Sequence, residues 1–251
     1  MISLCFAALF GVFLMLPKTT QKHPTTMFDC YVINLAKRMD RYLRFKQTFG
    51  RSDLAQNNLI RMEAVIGSDL DLDTLSLTYS AREEIGQQQM NGYRRNHHEL
   101  TKGAIGCYLS HVFTWEHVLN KTDTEFVLIC EDDCRIPADL NNNIVTCLSK
   151  LPEDWDILLC GALVLDRLKP VSKHFIKTNA FLLLHCYLIK VSAISKILSA
   201  DIFPMNKQLD FVLSEFASRN LINVYTLPRH SYAKQGGFVT DIQLRLQNAG
   251  D

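Results

Sequence analysis

The sequence T-E-F-V-L-I-C-E-D-D-C-R-I at residues 124–136 is the stretch that best indicates the fold class. Residues 126–130 are apolar, and three acids, Glu131, Asp132 and Asp133, follow directly. A short apolar run bounded by polar residues predicts a strand buried on both faces of a sheet. Acids at the end of such a strand lie at the carboxyl edge, where open α/β sheets bind ligands.

These three acids indicate a metal–diphosphate site. Carboxylates are hard oxygen donors that suit Mg²⁺ or Mn²⁺, especially when a phosphate supplies the remaining ligands. An ordinary acidic turn, or a helix start that favours acids, explains the same three residues equally well.

Composition limits the classes of function. The chain has 251 residues, 47% of them hydrophobic, and a net charge of +1. This is typical of a globular protein with a sizeable core, and it argues against nucleic acid as a partner. The eight cysteines include no C-x-x-C pair. Cys30, Cys130, Cys160 and Cys186 fall in strand-like apolar runs, so we expect buried free thiols rather than a disulfide framework.

The first residues differ from the rest. Residues 2–16 are almost continuously apolar, which resembles a signal sequence or a short anchor, and residues 19–27 read as a linker. We therefore expect residues 1–27 to be a leader and residues 28–251 to be the globular domain. If residues 2–16 act as a signal or anchor, the protein is membrane-associated or secretory; otherwise it is cytoplasmic.

The first strand and helix form a candidate diphosphate site. We expect a strand at residues 30–35, ending near Asn34, and then a helix that stops at Gly50. Arg38 and Arg41 fall in its first turn, where basic side chains and backbone N–H groups can hold a nucleotide diphosphate. A solvated basic helix face is the alternative, and Asn34 is either a turn residue or a base or ribose contact.

The region between this helix and the central strand contains a helix and two polar segments. We expect solvated or surface loops at residues 67–73 and 87–102, the second plausibly beside the substrate. The helix from Gly103 has two faces. The expected apolar face is Ile105, Tyr108, Leu109, Val112, Phe113 and Leu119, and the other face is Cys107, Ser110, His111 and Thr114. His111 is either a phosphate or carboxylate contact or a satisfied core histidine.

The second half predicts further alternation of strands and helices. Strands are expected at residues 155–160, with Gly161 at the end, and at 181–190 and 222–227. Helices are expected at 192–199 and 206–220, the second with Asp210 in its first turn. The loop at 235–243 contains glycine and can fold over a ligand and exclude water.

Several segments together resemble glycosyltransferase family 25. They are Y-V-I-N-L-A-K-R-M-D-R-Y (31–42), G-A-I-G-C-Y-L-S-H-V-F-T-W (103–115), V-L-I-C-E-D-D-C (127–134), D-W-D-I-L-L-C-G (154–161), A-F-L-L-L-H-C-Y-L-I-K (180–190), Q-L-D-F-V-L (208–213) and Q-G-G-F-V-T-D-I-Q (235–243). The resemblance covers residues 30–243 and implies an α/β fold, a GT-A-like (Rossmann-like) mixed sheet with helices on both faces. Gln208 departs from it, because the family often has proline two residues before the aspartate.

The resemblance also implies an activity, which is inverting transfer of a hexose, most often galactose, from a UDP-sugar, assisted by Mn²⁺ or Mg²⁺. The acceptor is a glycan or glycoprotein: bacterial lipooligosaccharide, a viral or host glycan, or a collagen-like hydroxylysine. The expected site residues are Asp210 and Glu131 for catalysis, Asn34, Arg38, Arg41, His111, Asp132 and Gln235 for the donor, and Asp133, Asp132 and Asp241 for the metal. His230 is an alternative to Asp241.

Two other functions fit the same residues. A catalytically inactive nucleotide-sugar or glycan-binding protein of the same fold is motivated by the altered segment at Gln208 and by the short chain. A metal-dependent hydrolase that uses the same acids would release UDP without an acceptor.

Overall fold

The computed structural model describes residues 28–166, 172–229 and 232–236, which form helices and strands in alternation. The helices are α1 (Met39–Gly50), α2 (Tyr79–Asn91), α3 (Lys102–Lys121), α4 (Leu140–Leu148), α5 (Val191–Leu198) and α6 (Leu209–Ser218). The strands are β1 (Cys30–Asn34), β2 (Leu59–Glu63), β3 (Phe126–Glu131), β4 (Cys134–Arg135), β5 (Ile157–Val164), β6 (Ile176–Lys177), β7 (Phe181–Lys190), β8 (Val224–Thr226) and β9 (Lys234–Gln235).

Seven of these strands form one mixed sheet in the order β2-β1-β3-β7-β5-β8-β6. β1 runs parallel to β2 and β3, and β8 runs parallel to β5. β7 lies antiparallel between β3 and β5 and therefore makes the sheet mixed. β4 and β9 pair separately, as a short antiparallel ribbon.

The two faces of the sheet carry two separate cores. Along β3, Val127 and Ile129 pack into one core, while Leu128 and Cys130 pack into the other. Residues from α2, α3, α5 and α6 cover the first core, and residues from α1 and α4 cover the second. All four β3 side chains are buried, so the expected strand buried on both faces is confirmed. The expected GT-A-like α/β fold, with a mixed sheet and helices on both faces, is confirmed as well.

Helix α3 departs from its predicted apolar face. Phe113 and Leu119 are 49% and 38% exposed, whereas Ser110 and His111 on the other face are buried. The hydroxyl of Ser110 accepts a hydrogen bond from the backbone N–H of Val65 over 2.8 Å, because this side of the helix packs against a loop rather than solvent. A polar residue on a helix is therefore not a reliable sign of exposure when a neighbouring backbone segment supplies its hydrogen-bond partner.

The predicted surface loop at residues 87–102 is confirmed only in part. Residues 92–101 lie outside the helices and residues 95–98 are exposed, but α2 continues to Asn91, and both Arg94 and Glu99 are buried. The carboxylate of Glu99 accepts hydrogen bonds from Nε2 of Gln88 and from the backbone N–H of Arg95. A buried carboxylate is costly without such donors, and one of them, Gln88, lies in the part of α2 that was expected to be a loop.

Two smaller expectations need adjustment. Residues 67–73 are largely exposed, as expected of a solvated loop, but Gly67–Asp69 and Leu72–Thr74 are short 3-10 helices and Gly67 is buried. The strand expected to end at Gly161 continues to Val164 through an irregular register with β7.

The cysteine prediction is confirmed. Cys30, Cys130, Cys160 and Cys186 are buried free thiols. Among the described residues, none of the helices combines the length and the apolar character that a bilayer span requires. The apolar segment at residues 2–16 and the linker at 19–27 lie outside the described residues.

Candidate active site

A cavity of about 610 Å³ lies at the edge of the sheet where β1 and β3 end and β7 begins. Its walls come from the carboxyl end of β3, the first half of α3, the start of β7 and the start of α6. The parallel pairing of β1 with β3 brings their carboxyl ends to one edge, as expected for a ligand site in an α/β sheet. Seven of the expected site residues line this cavity: Arg41, His111, Glu131, Asp132, Asp133, Asp210 and Gln235.

Asp132 is held in place from the first strand and helix. Nδ2 of Asn34 donates a hydrogen bond to Oδ2 of Asp132 over 2.6 Å. Arg41 Nη1 lies 3.6 Å from Oδ1 of Asp132, and both side chains are largely buried. Burial raises the pKa of Asp132, although the Asn34 hydrogen bond and the Arg41 charge oppose that shift. Asp132 is therefore an oriented carboxylate, with one oxygen bound by Asn34 and the other beside Arg41.

Asp133 is the carboxylate with spare capacity. Its Oδ1 is buried and has no hydrogen-bond partner among the described residues. Burial, followed by the charges of Glu131 and Asp132, raises the pKa of Asp133 to about 7, and a hydrogen bond from Gln235 opposes the shift. A buried carboxylate oxygen without a donor is costly in the absence of a ligand.

Glu131 faces helix α3. Its Oε1 lies 3.4 Å from Nε2 of His111 and 3.9 Å from Sγ of Cys107. Burial raises the pKa of Glu131, but the hydrogen bond and charge of His111 outweigh it and leave the pKa below its usual value. Nδ1 of His111 lies 2.9 Å from the hydroxyl of Tyr187, which also accepts a hydrogen bond from the indole of Trp115. His111 is therefore fixed in orientation from behind.

Asp210 lies in the first turn of α6, as predicted, and on the wall of the cavity. Oδ2 accepts the backbone N–H of Leu183 and Oδ1 accepts that of Phe211, each over 2.9 Å. Burial raises the pKa of Asp210, while these two backbone donors lower it. The carboxylate is thus fixed in position and easier to protonate than an exposed aspartate.

Two expected residues stand apart from this cluster. Asn34 lies behind Asp132 and is not in the cavity wall. Arg38 pairs with Asp40 and also does not line the cavity. Asp241 and His230, the expected additional metal ligands, lie outside the described residues.

The sequence reasoning passed over two residues near the site. Arg61 on β2 donates from Nε to Oδ1 of Asn34 over 2.8 Å, which fixes the amide so that its NH₂ group faces Asp132. His185 on β7 lines the cavity, and its Nε2 lies 3.0 Å from the carbonyl oxygen of Ala233. A single histidine within the apolar run at residues 181–190 was the available signal for His185. For Arg61 there was none, because its role depends on the pairing of β1 with β2.

The carboxylates fit a hard divalent cation. The unpartnered Oδ1 of Asp133 and the adjacent oriented carboxylate of Asp132 are oxygen donors of the kind that Mg²⁺ and Mn²⁺ prefer. The two residues are neighbours at the end of one strand, and both line the cavity. Asp133 and Asp132 could therefore hold such an ion, with the rest of its coordination facing the cavity.

Comparison with known proteins gives the family. A family model described as "Glycosyltransferase family 25 (LPS biosynthesis protein)" matches residues 27–224. This chain belongs to glycosyltransferase family 25. The match covers both strands that carry the site, helix α3 and Asp210, so most of the cavity wall lies within the matched region, while Gln235 and Gly236 lie beyond it.

Its curated relatives are similar at modest identity. A "Glycosyltransferase 25 family member" of Drosophila pseudoobscura pseudoobscura is 25% identical over 255 residues, which cover 90% of this chain and 38% of the relative. Human "Procollagen galactosyltransferase 2" is 29% identical over 147 residues, or 56% of this chain and 22% of the relative. A Bos taurus protein named "Probable inactive glycosyltransferase 25 family member 3" is 28% identical over 148 residues, which cover 56% of this chain and 23% of the relative. This family-25 chain thus spans well under half the length of these relatives.

Proposed function

We propose that this family-25 chain is a hexosyltransferase that moves galactose from UDP-galactose to a hydroxyl group of a glycan or hydroxylysine-type acceptor, with inversion. One observation carries the proposal: a carboxylate with an unpartnered buried oxygen, Asp133, and a second carboxylate fixed by backbone donors, Asp210, line the same cavity. Relatives named procollagen galactosyltransferase support the choice of galactose.

Asp133 and Asp132 would hold Mn²⁺ or Mg²⁺. When bound, the ion neutralises negative charge that develops on the β-phosphate of the departing nucleotide. Arg41 is buried beside Asp132 and lines the cavity, so its guanidinium places positive charge next to the same phosphates. His111, held by Tyr187, and Gln235, which also lines the cavity, are the remaining donor contacts that we propose.

Asp210 is the proposed general base. In this scheme the acceptor hydroxyl gives its proton to Asp210 while its oxygen bonds to the anomeric carbon, and the bond from that carbon to the phosphate oxygen breaks. UDP leaves with the bonding electron pair, which gives inversion in a single displacement. The raised pKa of Asp210 makes it a stronger base than an exposed aspartate. Glu131, paired with His111, is the second proposed catalytic carboxylate.

A donor screen tests the proposal. The full chain is incubated with each UDP-sugar, with Mn²⁺ and with a panel of glycan and hydroxylysine-containing peptide acceptors, and sugar transfer and UDP release are measured. We expect transfer from UDP-galactose that Asp133→Asn abolishes. Asp139→Asn is the matched control, because Asp139 is an exposed aspartate six residues along the chain and does not line the cavity.

The other outcomes separate the alternatives. Tight UDP-galactose binding by calorimetry without turnover on any acceptor would favour an inactive binding protein, the reading suggested by the relative named as probably inactive. UDP release at the same rate with and without acceptor would favour a hydrolase. Transfer by a folded Asp133→Asn variant at the wild-type rate would remove Asp133 from the mechanism.

A further inference from the structure

Cys107, His111 and Glu131, on the α3 side of the cavity, form a ligand set of a different kind from the aspartates. Sγ of Cys107, a ring nitrogen of His111 and a carboxylate oxygen of Glu131 all lie within 4.8 Å of one another. Thiolate, imidazole and carboxylate together suit a borderline ion such as Zn²⁺, whereas Mg²⁺ and Mn²⁺ prefer oxygen ligands alone. We propose that Cys107, His111 and Glu131 form a second metal site, which binds Zn²⁺ with its fourth position open to the cavity.

The distances match tetrahedral coordination. With zinc–sulfur bonds of about 2.3 Å and zinc–nitrogen or zinc–oxygen bonds of about 2.0 Å, neighbouring ligand atoms are separated by roughly 3.3–3.6 Å. In this protein Nε2 of His111 lies 3.4 Å from Oε1 of Glu131, and Sγ of Cys107 lies 3.9 Å from the same oxygen. Both distances to Glu131 are therefore within a few tenths of an ångström of tetrahedral values, and the sulfur of Cys107 lies within 4.8 Å of the His111 ring.

The helix and the strand supply these ligands on rigid elements. Cys107 and His111 are four residues apart on α3, so their side chains project from the same face of the helix. Glu131 is the last residue of β3 and approaches from the sheet. Rigid backbone placement of all three ligands lowers the cost of ordering them around an ion.

A second layer of contacts orients the histidine. The hydroxyl of Tyr187 lies 2.9 Å from Nδ1 of His111, and both side chains are buried. When Nδ1 carries the ring proton, its N–H donates a hydrogen bond to the hydroxyl oxygen of Tyr187. The lone pair of Nε2 then faces Glu131 and is available to a metal. The indole of Trp115 donates to the same hydroxyl and holds it in place.

The site is separate from the aspartate pair and accessible from the cavity. Cys107, His111 and Glu131 all line the cavity, and Cys107 is partly exposed. A second thiol cluster, Cys130, Cys134 and Cys186, also has its sulfur atoms within 4.8 Å of one another, but all three are buried. Binding at the cavity site releases the thiol proton of Cys107 to solvent as the sulfur–metal bond forms.

Co²⁺ is a spectroscopic probe for this site, since a cobalt–thiolate bond gives a charge-transfer band in the near ultraviolet. We titrate the full chain with CoCl₂ in the absence of nucleotide. The expected result is a thiolate band that saturates at one equivalent, that stoichiometric Zn²⁺ abolishes and that excess Mg²⁺ leaves unchanged. Cys107→Ser removes the band, and Cys134→Ser, the matched control in the buried thiol cluster, retains it.

A second pair of measurements keeps the test decisive if a cysteine variant misfolds. Tyr187→Phe should retain the band but weaken cobalt affinity about 10–100-fold, as loss of an outer-shell partner does in metal sites. In the wild-type chain, Zn²⁺ should protect Cys107 from iodoacetamide, as measured by mass spectrometry of the labelled peptides.

Three results would overturn the inference. The first is the absence of a thiolate band from the protein at saturating Co²⁺. The second is a band that survives Cys107→Ser and disappears in Cys134→Ser. The third is alkylation of Cys107 at an equal rate with and without Zn²⁺. His111 and Glu131 also have proposed roles in sugar transfer, and a bound Zn²⁺ would occupy both side chains. The two ideas are still tested separately, because transfer assays use variants of Asp133 and Asp210 and the cobalt titration uses Cys107, so either can fail without the other.

Discussion

The backbone N–H of Leu183 donates a hydrogen bond to Oδ2 of Asp210 over 2.9 Å, and Leu183 has a φ of 72°. A left-handed conformation costs a residue with a side chain roughly 1–2 kcal/mol. Leu183 lies in β7 and in the cavity wall, where this conformation aims its N–H at the carboxylate. Strained backbone conformations of this kind cluster at functional sites, and here the strained residue, Leu183, contacts the carboxylate of Asp210 in the cavity wall.

Asp210→Asn should abolish sugar transfer while the protein still folds and binds the donor. Loss of a general base lowers kcat by about 10²–10⁴-fold, whereas an asparagine oxygen can still accept one of the two backbone N–H groups. The measurement is kcat with UDP-galactose together with the calorimetric affinity for UDP. Glu215→Gln, on the exposed side of the same helix, is the control. A folded Asp210→Asn variant within threefold of wild-type kcat would contradict the assignment.

Asp210 should also determine the acid limb of the pH profile of kcat/KM. Burial raises the pKa of Asp210, so the base takes up a proton at a higher pH than an exposed aspartate does. kcat/KM should therefore fall as pH decreases through that raised pKa, at a higher pH than an exposed aspartate would give. The measurement is kcat/KM for the donor in buffers of constant ionic strength. An acid limb at the usual aspartate position would show that another group controls it.

Asp133 predicts a pH dependence of stability in metal-free protein. Burial raises the pKa of Asp133 from 3.8 to about 7. Because the folded pKa lies above the unfolded one, the native state binds the extra proton between these values, and stability is lost as pH rises from about 4 to 7. Asp133→Asn removes this loss. The free energy of unfolding of the variant, relative to that of the wild type, should therefore increase as pH rises from about 4 to 7. Urea unfolding with a chelator at pH 4.5, 6 and 8 measures it, and a constant difference would contradict the prediction.

Asn34→Ala should destabilise the fold through Asp132. The variant removes the amide that donates to Asp132 over 2.6 Å and leaves a buried carboxylate short of a donor. The expected loss is about 1–3 kcal/mol in the free energy of unfolding. Asn58→Ala is the matched control, because its amide also donates to an aspartate, Asp29, but on the exposed surface. We expect the control to change stability by less than about 0.5 kcal/mol, and equal losses in both variants would show that the Asn34 contact has no special weight.

Sequence patterns were sufficient for the parts of the fold that rest on local periodicity. The apolar runs placed β1, β3 and β7 within a residue or two, and the acids after β3 do lie at a cavity. These predictions succeed because a strand buried on both faces has almost no polar positions, whatever its neighbours are.

Long-range pairing explains what the sequence could not show. Phe113 was assigned to the core and His111 to a polar face, but α3 packs against the loop at residues 64–67 on its polar side. Arg61 reaches Asn34 only because β2 lies beside β1, and Glu99 is buried only because Gln88 faces it from α2. None of these contacts has a signature within a window of adjacent residues.

Gly106→Ala tests the close approach between α3 and the loop at residues 64–67. An added Cβ at Gly106 would lie 2.7 Å from the carbonyl oxygen of Val65 and 2.9 Å from the backbone nitrogen of Gly67, so the helix or the loop must shift. We expect a loss of about 1–3 kcal/mol in the free energy of unfolding, as for overpacked cores, and weaker donor binding, since both segments line the cavity. Gly86→Ala in α2 is the matched control: its Cβ would have no atom within 4 Å, and alanine is the better helix former by up to about 1 kcal/mol. The two variants should therefore change stability in opposite directions in urea unfolding, and a Gly106→Ala protein as stable as Gly86→Ala would show that the helix and loop are not in contact.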